Sequence, residues 1–219
     1  MSTATLILTL LAVIFAAIQI RAEYRGPYRN IYIFKPLVMV CIVLIALLDH
    51  TTTTPLYKIL IIAGLLCSMA GDTLLMPPWN RFVAGLIAFL VAHLCYIAAF
   101  ASQTSAIAWW PLIPLAIYGL IIYAFLAPSL DKMKVPVLAY ITVILVMAWL
   151  GWVYRLQTSN FSALLAFVGA IFFVVSDSIL ATNRFRMQFK VGRLLNLATY
   201  FIAQWLIAGS VGTITLNMF

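Results

Sequence analysis

The chain has 219 residues, of which 66% are hydrophobic and only 8% are charged. Soluble domains carry roughly 25% charged residues, so this composition excludes a water-soluble fold. Thirteen basic and five acidic residues give a formal net charge of +8, but the basic residues stand singly or in short clusters between long uncharged runs. That pattern is typical of residues flanking membrane spans rather than of a nucleic-acid surface.

Eight uncharged runs follow one another along the chain. They are Thr3–Ile20, Pro36–Leu48, Ile59–Gly71, Phe82–Ser102, Ile107–Leu126, Val135–Tyr154, Phe161–Ser176 and Leu194–Met218. A helix needs about 20 apolar residues to cross a bilayer, and the shorter runs approach this length once the adjoining charged residues are included. The runs are continuous rather than alternating, which excludes a β-barrel. We therefore predict an all-α polytopic bundle of eight transmembrane helices, with residues 1–219 as a single domain.

The first run has no basic residue before it, whereas a secretory signal needs a positive n-region. We therefore expect it to be a retained helix. The eleven basic residues that follow the odd-numbered runs are Arg21, Arg25, Arg29, Lys35, Arg81, Lys132, Lys134, Arg184, Arg186, Lys190 and Arg193. Only Lys58 and Arg155 follow the even-numbered runs. The positive-inside rule then predicts odd loops in the cytoplasm and both termini outside. In a bacterium this would be the inner membrane.

The two halves of the chain share a pattern that indicates an internal repeat. The third and seventh runs end in Gly71-Asp72-x-x-Leu75 and Ser176-Asp177-x-x-Leu180, and Asn80-Arg81-Phe82 and Asn183-Arg184-Phe185 follow them. Lys35-Pro36 opens the second run and Lys134-Val135-Pro136 opens the sixth. Corresponding runs are four apart, so a parallel repeat is expected, with halves of roughly 1–104 and 105–219.

Asp72 and Asp177 lie within a turn or two of the predicted cytoplasmic ends of their helices. A carboxylate inside a span costs at least about 2.5–3.5 kcal/mol on insertion scales, and such residues are functional by default. The repeat allows the two to face each other across one cavity. Two carboxyls that share an apolar site lose their protons in separate steps, as general acid–base hydrolysis requires. The alternative is that each aspartate pairs with Arg81 or Arg184 as a structural anchor.

His93 lies about 16 Å into the fourth helix. It is either a hydrogen-bonded core histidine or a cavity-lining donor one turn from Tyr96. Tyr200 and Gln204 occupy the corresponding region of the eighth helix, and Gln204 is expected to face the bundle interior. The acidic residues outside the runs are expected to be solvated loop charges; they are Glu23, Asp49 and Asp131. Glu23 shares the cytoplasmic side with both aspartates.

Metal and serine chemistry are not predicted. Catalytic zinc takes three protein ligands, but the second histidine, His50, lies on the opposite side of the membrane by this topology, and no HExxH occurs. The sequence around Ser68 has no nucleophile elbow. The three cysteines sit singly in apolar runs and indicate neither a disulfide nor a metal site; they are Cys41, Cys67 and Cys95. No cofactor is expected.

With these residues in place, the chain resembles the YhhN-like family of eight-helix membrane proteins, whose animal members are lysoplasmalogenases. The motifs that carry the resemblance are Tyr24-Arg25-Gly26-Pro27, Phe34-Lys35-Pro36-Leu37, Gly71-Asp72-x-x-Leu75, His93-x-x-Tyr96 and Ser176-Asp177-x-x-Leu180. They extend in order over nearly the whole chain, as far as Gln204. The resemblance implies hydrolysis of the vinyl-ether bond of a lysoplasmalogen to a fatty aldehyde and a glycerophosphoethanolamine or glycerophosphocholine. It also implies that Asp72 and Asp177 are the catalytic pair.

The chemistry agrees with this resemblance. A vinyl ether resists base but hydrolyses when its β-carbon is protonated, so one aspartate would donate the proton and the other would activate water. The sequence leaves open which does which. The lysophospholipid substrate would place its chain in the bundle and its phosphate at the cytoplasmic headgroup level. Candidate phosphate contacts are Lys35, Arg81 and Arg184, which are equally typical of inside-positive anchors.

Two other functions remain open at this stage. Paired aspartates in a parallel repeat would also suit a proton- or ion-coupled transporter. Against this reading, Pro36 and Pro136 are predicted to open their helices rather than interrupt them near the midplane. The third possibility is a non-enzymatic lipid-binding or scaffold protein, in which Asp72→Asn would change stability alone.

Overall fold

The computed structural model describes residues 2–49, 53–76 and 81–212. These residues form eight α-helices. Their bounds are α1 Thr3–Arg25, α2 Arg29–Leu48, α3 Pro55–Leu75, α4 Phe82–Ala101, α5 Leu112–Leu126, α6 Lys134–Gln157, α7 Phe161–Ala181 and α8 Gly192–Gly209. Short 3₁₀ turns at Ala127–Ser129 and Asp131–Met133 join α5 to α6, and a π turn at Thr182–Arg186 extends α7. Predictions about His50, Asn80 and the segment 213–218 fall outside the described residues.

Local sequence explains where several helices begin and end. Ser2, Thr54 and Asn160 each precede a helix, and each side chain accepts a hydrogen bond from a backbone N–H of the first turn. Such residues satisfy donors that the helix itself cannot pair. Pro55 follows Thr54 at the first helical position, where its missing N–H costs nothing. Gly26 ends α1 with φ +65°, a conformation that glycine adopts without strain.

The predicted start of the second helix is wrong. Helix α2 begins at Arg29 rather than at Pro36, so Pro36 lies inside the helix. The uncharged run marked only the part of the helix that suits hydrocarbon, whereas the helix continues past Lys35 toward the membrane surface. Pro36 has no N–H to donate to the preceding turn. It therefore interrupts the hydrogen-bond ladder of α2 one residue after Lys35.

Two further helix boundaries differ from the prediction. Helix α5 begins at Leu112 rather than at Ile107, because Trp109, Trp110 and Pro111 form a turn before it. Paired tryptophans are typical of the membrane interface, so hydropathy alone extended the predicted helix too far. Helix α8 begins at Gly192 and ends at Gly209, short of the predicted Met218.

Successive helices run in opposite directions through the bundle. The C-terminal ends of α1, α3, α5 and α7 therefore lie at the same end of the bundle as the N-terminal ends of α2, α4, α6 and α8. Contacts between elements at this end include the Lys35–Asp72 ion pair and the Arg184 guanidinium, which stands 4.9 Å from the centre of the Phe82 ring. At the other end, Tyr57 of α3 bonds Ser210 beyond α8 at 2.7 Å. The eleven basic residues that were grouped by sequence lie toward the first end, which we call the basic end.

Seven of these helices, some with an adjoining turn, are long and apolar enough to cross a membrane. The outer surface is accordingly apolar, and Leu10, Leu120 and Ile121 are each more than 60% exposed. The protein is therefore a multi-pass integral membrane protein, as predicted. Helix α8 falls outside this group because it carries polar residues such as Asn196 and Gln204. That α8 also crosses the membrane stays a prediction, although its 18 residues rise about 27 Å.

Candidate active site

Asp72 lies three residues before the end of α3, and its side chain contacts residues of two other helices. Its side chain is only 4% exposed, and Lys35 of α2 places its Nζ 2.8 Å from Oδ1. Tyr200 of α8 donates its Oη hydrogen to Oδ2 at 2.6 Å. Each carboxylate oxygen thus has a donor, and one donor carries a positive charge. This arrangement compensates the cost of burying a carboxylate.

Asp177 lies at the matching position of α7 in different surroundings. Tyr140 of α6 donates its Oη hydrogen to Oδ2 at 2.5 Å. The Nε2 atom of His93 is 3.9 Å from the same oxygen, beyond hydrogen-bond distance. Among the described residues, no lysine or arginine lies within 4 Å of this carboxyl group. Its side chain is 13% exposed, compared with 4% for Asp72.

Each aspartate has one neighbour from its own half of the chain and one from the other half. Lys35 precedes Asp72 by 37 residues, and Tyr140 precedes Asp177 by the same number. Each aspartate therefore receives one partner from the second helix of its own half. The other neighbour comes from the last helix of the opposite half, Tyr200 for Asp72 and His93 for Asp177. We expect this reciprocity from a parallel repeat.

Both aspartates line one cavity of about 470 Å³ at the basic end. Its wall also carries charged and polar side chains from several helices; these are Glu23, Tyr28, Lys35, Arg184, Arg193, Asn196 and Tyr200. An apolar crevice between α4, α5, α6 and α7 adjoins this cavity. The two spaces share Leu75, Phe89, Asp177 and Leu180. Asp177 thus stands where a polar space meets an apolar one, whereas Asp72 faces only the polar space.

Glu23 is not a solvated loop charge, contrary to the prediction. It belongs to α1, its side chain is 15% exposed, and its Oε2 accepts a hydrogen bond from Arg193 at 2.9 Å. Beside it, Tyr24 donates to the carbonyl of Lys190 and accepts from the N–H of Leu194. The charge was placed in a loop because the apolar run ended before the helix did. The end of α1 is thereby fastened to the start of α8.

The two arginines that were predicted to lie in loops differ in their position relative to the cavity. Arg184 lines the cavity, whereas Arg81 precedes α4 and is not on the cavity wall. The structural-anchor alternative required each aspartate to pair with one of these arginines. Within the described ranges, the ion pair of Asp72 is instead with Lys35.

His93, Tyr96 and Gln204 form a buried layer behind the cavity rather than part of its wall. Tyr96 donates its Oη hydrogen to Oε1 of Gln204 at 2.8 Å. The amide nitrogen of Gln204 and both ring nitrogens of His93 have no hydrogen-bond partner among the described residues. The His93 ring packs edge-on against Tyr140 and Phe173, with centroids 5.2 and 4.7 Å away. His93 thus supports the side chains that surround Asp177.

Sequence reasoning missed Tyr140 and Arg193. A tyrosine inside an apolar run carries no signal of its own, although the equal spacing from Lys35 to Asp72 and from Tyr140 to Asp177 marks it. Arg193 was counted only as one of the basic loop residues. In the part of the chain that the structure describes, no three His, Cys, Asp or Glu side chains are grouped as metal ligands would be.

The arrangement can hold and move protons. Two carboxyl groups on one cavity, one beside an ammonium group and one without a cation, suit a proton acceptor and a proton donor. Each has a tyrosine hydroxyl to hold its orientation. Water can reach both from the polar side of the cavity.

Comparison with known proteins gives a consistent picture. Residues 30–211 match the model of the YhhN family. The chain is 32% identical over 203 residues to the uncharacterized membrane protein YhhN of Escherichia coli O6:H1 (strain CFT073), covering 90% of this chain and 94% of that protein. It is 34% identical over 167 residues to the human lysoplasmalogenase TMEM86A, covering 74% of this chain and 67% of that protein. Human lysoplasmalogenase TMEM86B is also 34% identical, over 69% of this chain and 62% of that protein. No solved structure matches the chain.

Proposed function

The chain belongs to the YhhN family, and on that basis we propose that it hydrolyses the vinyl-ether bond of a lysoplasmalogen. The products are a fatty aldehyde and a glycerophospho-head-group. The observation that carries the proposal is that Asp72 and Asp177 line one cavity with unlike partners. The lysoplasmalogenase names of the human relatives support the same reaction class.

Asp72 is assigned as the proton acceptor. The ammonium group of Lys35, 2.8 Å from Oδ1, compensates a negative charge on this carboxylate. Tyr200 holds the other oxygen. A carboxylate fixed in this way can take a proton from water and can stabilise a nearby cation by its charge.

Asp177 is assigned as the proton donor. No lysine or arginine in the described ranges lies within 4 Å of it to favour its charged form. It also faces the apolar crevice, whose volume of about 60 Å³ would take the first carbons of the alkenyl chain, while the polar cavity of about 470 Å³ would take the head group. The vinyl ether joins these two parts of the substrate, so its carbons would lie against Asp177.

The reaction then balances as follows. Asp177 gives its proton to the β-carbon of the vinyl ether, whose π electrons form the new C–H bond and leave an oxocarbenium ion at the carbon bonded to oxygen. Water bonds to that carbon and passes one proton to Asp72, which gives a hemiacetal. The hemiacetal breaks its C–O bond to glycerol, and its hydroxyl proton goes to the glycerol oxygen. Proton transfer from Asp72 to Asp177 restores the pair. Glycosidases divide the work of two carboxyls in a comparable way.

The substrate would enter with its head group at the basic end, in the cytoplasmic headgroup layer of the inner membrane in a bacterial cell. Of the three expected phosphate contacts, Arg184 lines the cavity and has no ion-pair partner among the described residues. Lys35 is held by Asp72 and would act mainly through it. Arg81 lies off the wall, so we propose that its role is that of a membrane-surface anchor.

Aldehyde release from a vinyl-ether lysophospholipid by the purified protein tests the proposal. We expect turnover by the parent, and a loss of at least about 100-fold in both Asp72→Asn and Asp177→Asn, since positioned proton transfer contributes roughly 10²–10⁴-fold. Asp131→Asn is the matched control because Asp131 lies in the turn before α6, away from the cavity, and it should keep parental activity. Each variant is first shown to be folded by its thermal transition. Turnover that survives either cavity substitution would contradict the pair mechanism.

Proton- or ion-coupled transport is the second candidate, because Pro36 interrupts α2 beside Lys35 and Asp72. Discontinuous membrane helices are typical of the binding sites of transporters. A pH-gradient flux assay in proteoliposomes separates the two functions. A hydrolase releases aldehyde without a gradient, whereas a transporter moves charge or solute and releases none. Absence of both activities would leave the lipid-binding or scaffold function.

A further inference from the structure

The charged residues at the mouth of the cavity are not all used by the catalytic pair. Lys35 forms an ion pair with Asp72. Three charged side chains of the wall remain, namely Glu23 of α1, Arg193 of α8 and Arg184 of the turn after α7. One acid and two bases thus face a cavity that the proposed substrate enters with its head group.

Glu23 and Arg193 form an ion pair across this mouth. The distance between Oε2 and the guanidinium nitrogen is 2.9 Å, and the side chains are 15% and 56% exposed. The other oxygen of Glu23 accepts a hydrogen bond from Gln19 at 3.1 Å. The carboxylate is therefore oriented by its own helix, whereas the guanidinium reaches it from solvent.

The ion pair does not need to hold the two helices together. Tyr24, next to Glu23, donates to the carbonyl of Lys190 at 2.9 Å and accepts from the N–H of Leu194 at 3.1 Å. These two hydrogen bonds link α1 to the start of α8 through the α8 backbone. The pair of Glu23 and Arg193 can therefore open without separating the helices.

We propose that Glu23, Arg193 and Arg184 form a site for a zwitterionic head group, in which the arginines bind the phosphate and Glu23 binds the ammonium group. This inference rests on the proposed function. When such a head group binds, the ion pair of Glu23 and Arg193 is replaced by two contacts, one with the phosphate and one with the ammonium group. Each charged side chain therefore keeps a partner of opposite charge. A head group with a phosphate and no amine would draw Arg193 away and leave the largely buried Glu23 without a cation, which is costly. The site thus selects for an amine by penalising its absence.

A series of three vinyl-ether lysolipids with the same chain tests this site: ethanolamine, choline and the amine-free phosphate monoester. In Glu23→Gln we expect KM to rise roughly tenfold, the equivalent of 1.4 kcal/mol, for the two amine-bearing substrates, with kcat unchanged. KM for the monoester should stay level or fall. Arg193→Gln should raise KM for all three. Arg186→Gln is the matched control, since Arg186 lies at the same end but bonds Ser129 and stands over Phe125, away from the wall.

Two results would overturn the head-group site. One is an equal change of KM for all three substrates in Glu23→Gln, which is the expectation for a purely structural ion pair. The other is a parent that shows no preference between amine-bearing and amine-free head groups. If Glu23→Gln does not fold, the exchanged variant Glu23→Arg with Arg193→Glu keeps the pair but reverses its charges. It should lose the preference for the amine, and retention of the preference would also overturn the proposal.

Failure of the proposed function is distinguishable from failure of this site. If the parent cleaves none of the lipids, binding is measured instead by the rise of the thermal transition with lysophosphatidylethanolamine and with lysophosphatidic acid, since a ligand of the native state stabilises it. A larger rise with the ethanolamine lipid that disappears in Glu23→Gln would support the site without the hydrolase. Equal rises in parent and variant would overturn it.

Discussion

Asp72 illustrates how much a buried charge depends on its partner. Its carboxylate accepts from Lys35 and Tyr200, which belong to two other helices. A buried ion pair adds little net stability over an apolar pair, but removing one partner leaves an uncompensated charge. Removal of Lys35 should therefore lower the free energy of unfolding because it leaves the Asp72 carboxylate without a cation. The loss should disappear when residue 72 carries no charge.

Lys35→Met is expected to lower the free energy of unfolding by about 3–5 kcal/mol, the usual cost of breaking a buried pair. Combining it with Asp72→Asn should restore most of that loss, because no charge is then left unpaired. Activity should not return in the double variant, since Asp72 is gone. Thermal transitions and aldehyde release of the two single variants and the double variant check both statements.

Lys134→Met is the control for this cycle. Lys134 is an exposed lysine at the same end, in the first turn of α6, and its loss should change the transition little. Equal destabilisation by the two lysine substitutions would contradict the role given to the Lys35–Asp72 pair. So would additive effects in the double variant, because residues in contact should couple.

Sequence reasoning found the residues of the site more readily than their pairing. Asp72 and Asp177 were conspicuous because charges inside apolar runs are rare. Lys35 was predicted as a phosphate contact, which stays a prediction, but its ion pair with Asp72 was not foreseen. Which side chains meet depends on how each helix is rotated about its axis. Polar residues spread thinly over apolar helices do not reveal that rotation.

At Gly169, helix α7 packs directly against the backbone of α8. A Cβ atom added there would lie 3.1 Å from the carbonyl oxygen of Ala203 and 2.8 Å from the side chain of Ile207. Because one of these neighbours is backbone, the helices would have to separate. Small residues permit such close packing in membrane bundles, where association depends on van der Waals contact. The position of Asp177 on α7 and of Tyr200 on α8 depends on this contact.

Gly169→Ala is therefore expected to destabilise the protein by about 1–3 kcal/mol, the usual cost of overpacking. Gly151→Ala is the matched control, since a Cβ there would meet its nearest neighbours, in Phe100 and Phe167, at an ordinary 3.5 Å. The control should be neutral or stabilised, because alanine favours the helix more than glycine does. The thermal transitions of both variants in the same detergent decide the matter, and equal behaviour would contradict it.

At this scale the sequence predicted the helices well and their ends poorly. Each of the eight apolar runs contains or overlaps one helix. Hydropathy reports the part of a helix that lies in hydrocarbon, so α2 and its Pro36 were misplaced where a helix continues into the headgroup region. The reverse error occurred at α5, where Trp109 and Trp110 are apolar without being helical.

In the whole molecule, the alternating helices place the basic residues at one end and the two aspartates just inside it. The end of α8 meets the first turns of α3 and α7, through Ser210 with Tyr57 and through Gly212 with Ser162. Helix α8 thus covers the same depth as its neighbours. We therefore retain the prediction of eight spans, with the basic end in the cytoplasm.

Cysteine labelling checks this topology, in a variant whose three native cysteines are replaced. An impermeant maleimide applied to intact cells should label Ser105→Cys and Ser159→Cys, which lie after α4 and α6. Lys132→Cys and Gln188→Cys, after α5 and α7, should react only when the membrane is opened. The reverse pattern would place the aspartates at the outer face. Labelling of Ser159→Cys and Gln188→Cys from one side would mean that α7 does not cross.

Each aspartate has a neighbour from the opposite half of the chain, so the two halves depend on each other. Neither half of the chain can complete the surroundings of its own aspartate, because Tyr200 serves Asp72 and His93 lies against Asp177. A gene encoding one half would need a second copy of its product to build either site, and two identical copies would give both carboxyls the same neighbours. A single chain allows the two aspartates to have unlike partners, Lys35 for Asp72 and Tyr140 for Asp177. A substitution of Tyr200 or of His93 therefore changes the surroundings of a carboxyl group that lies in the other half of the chain.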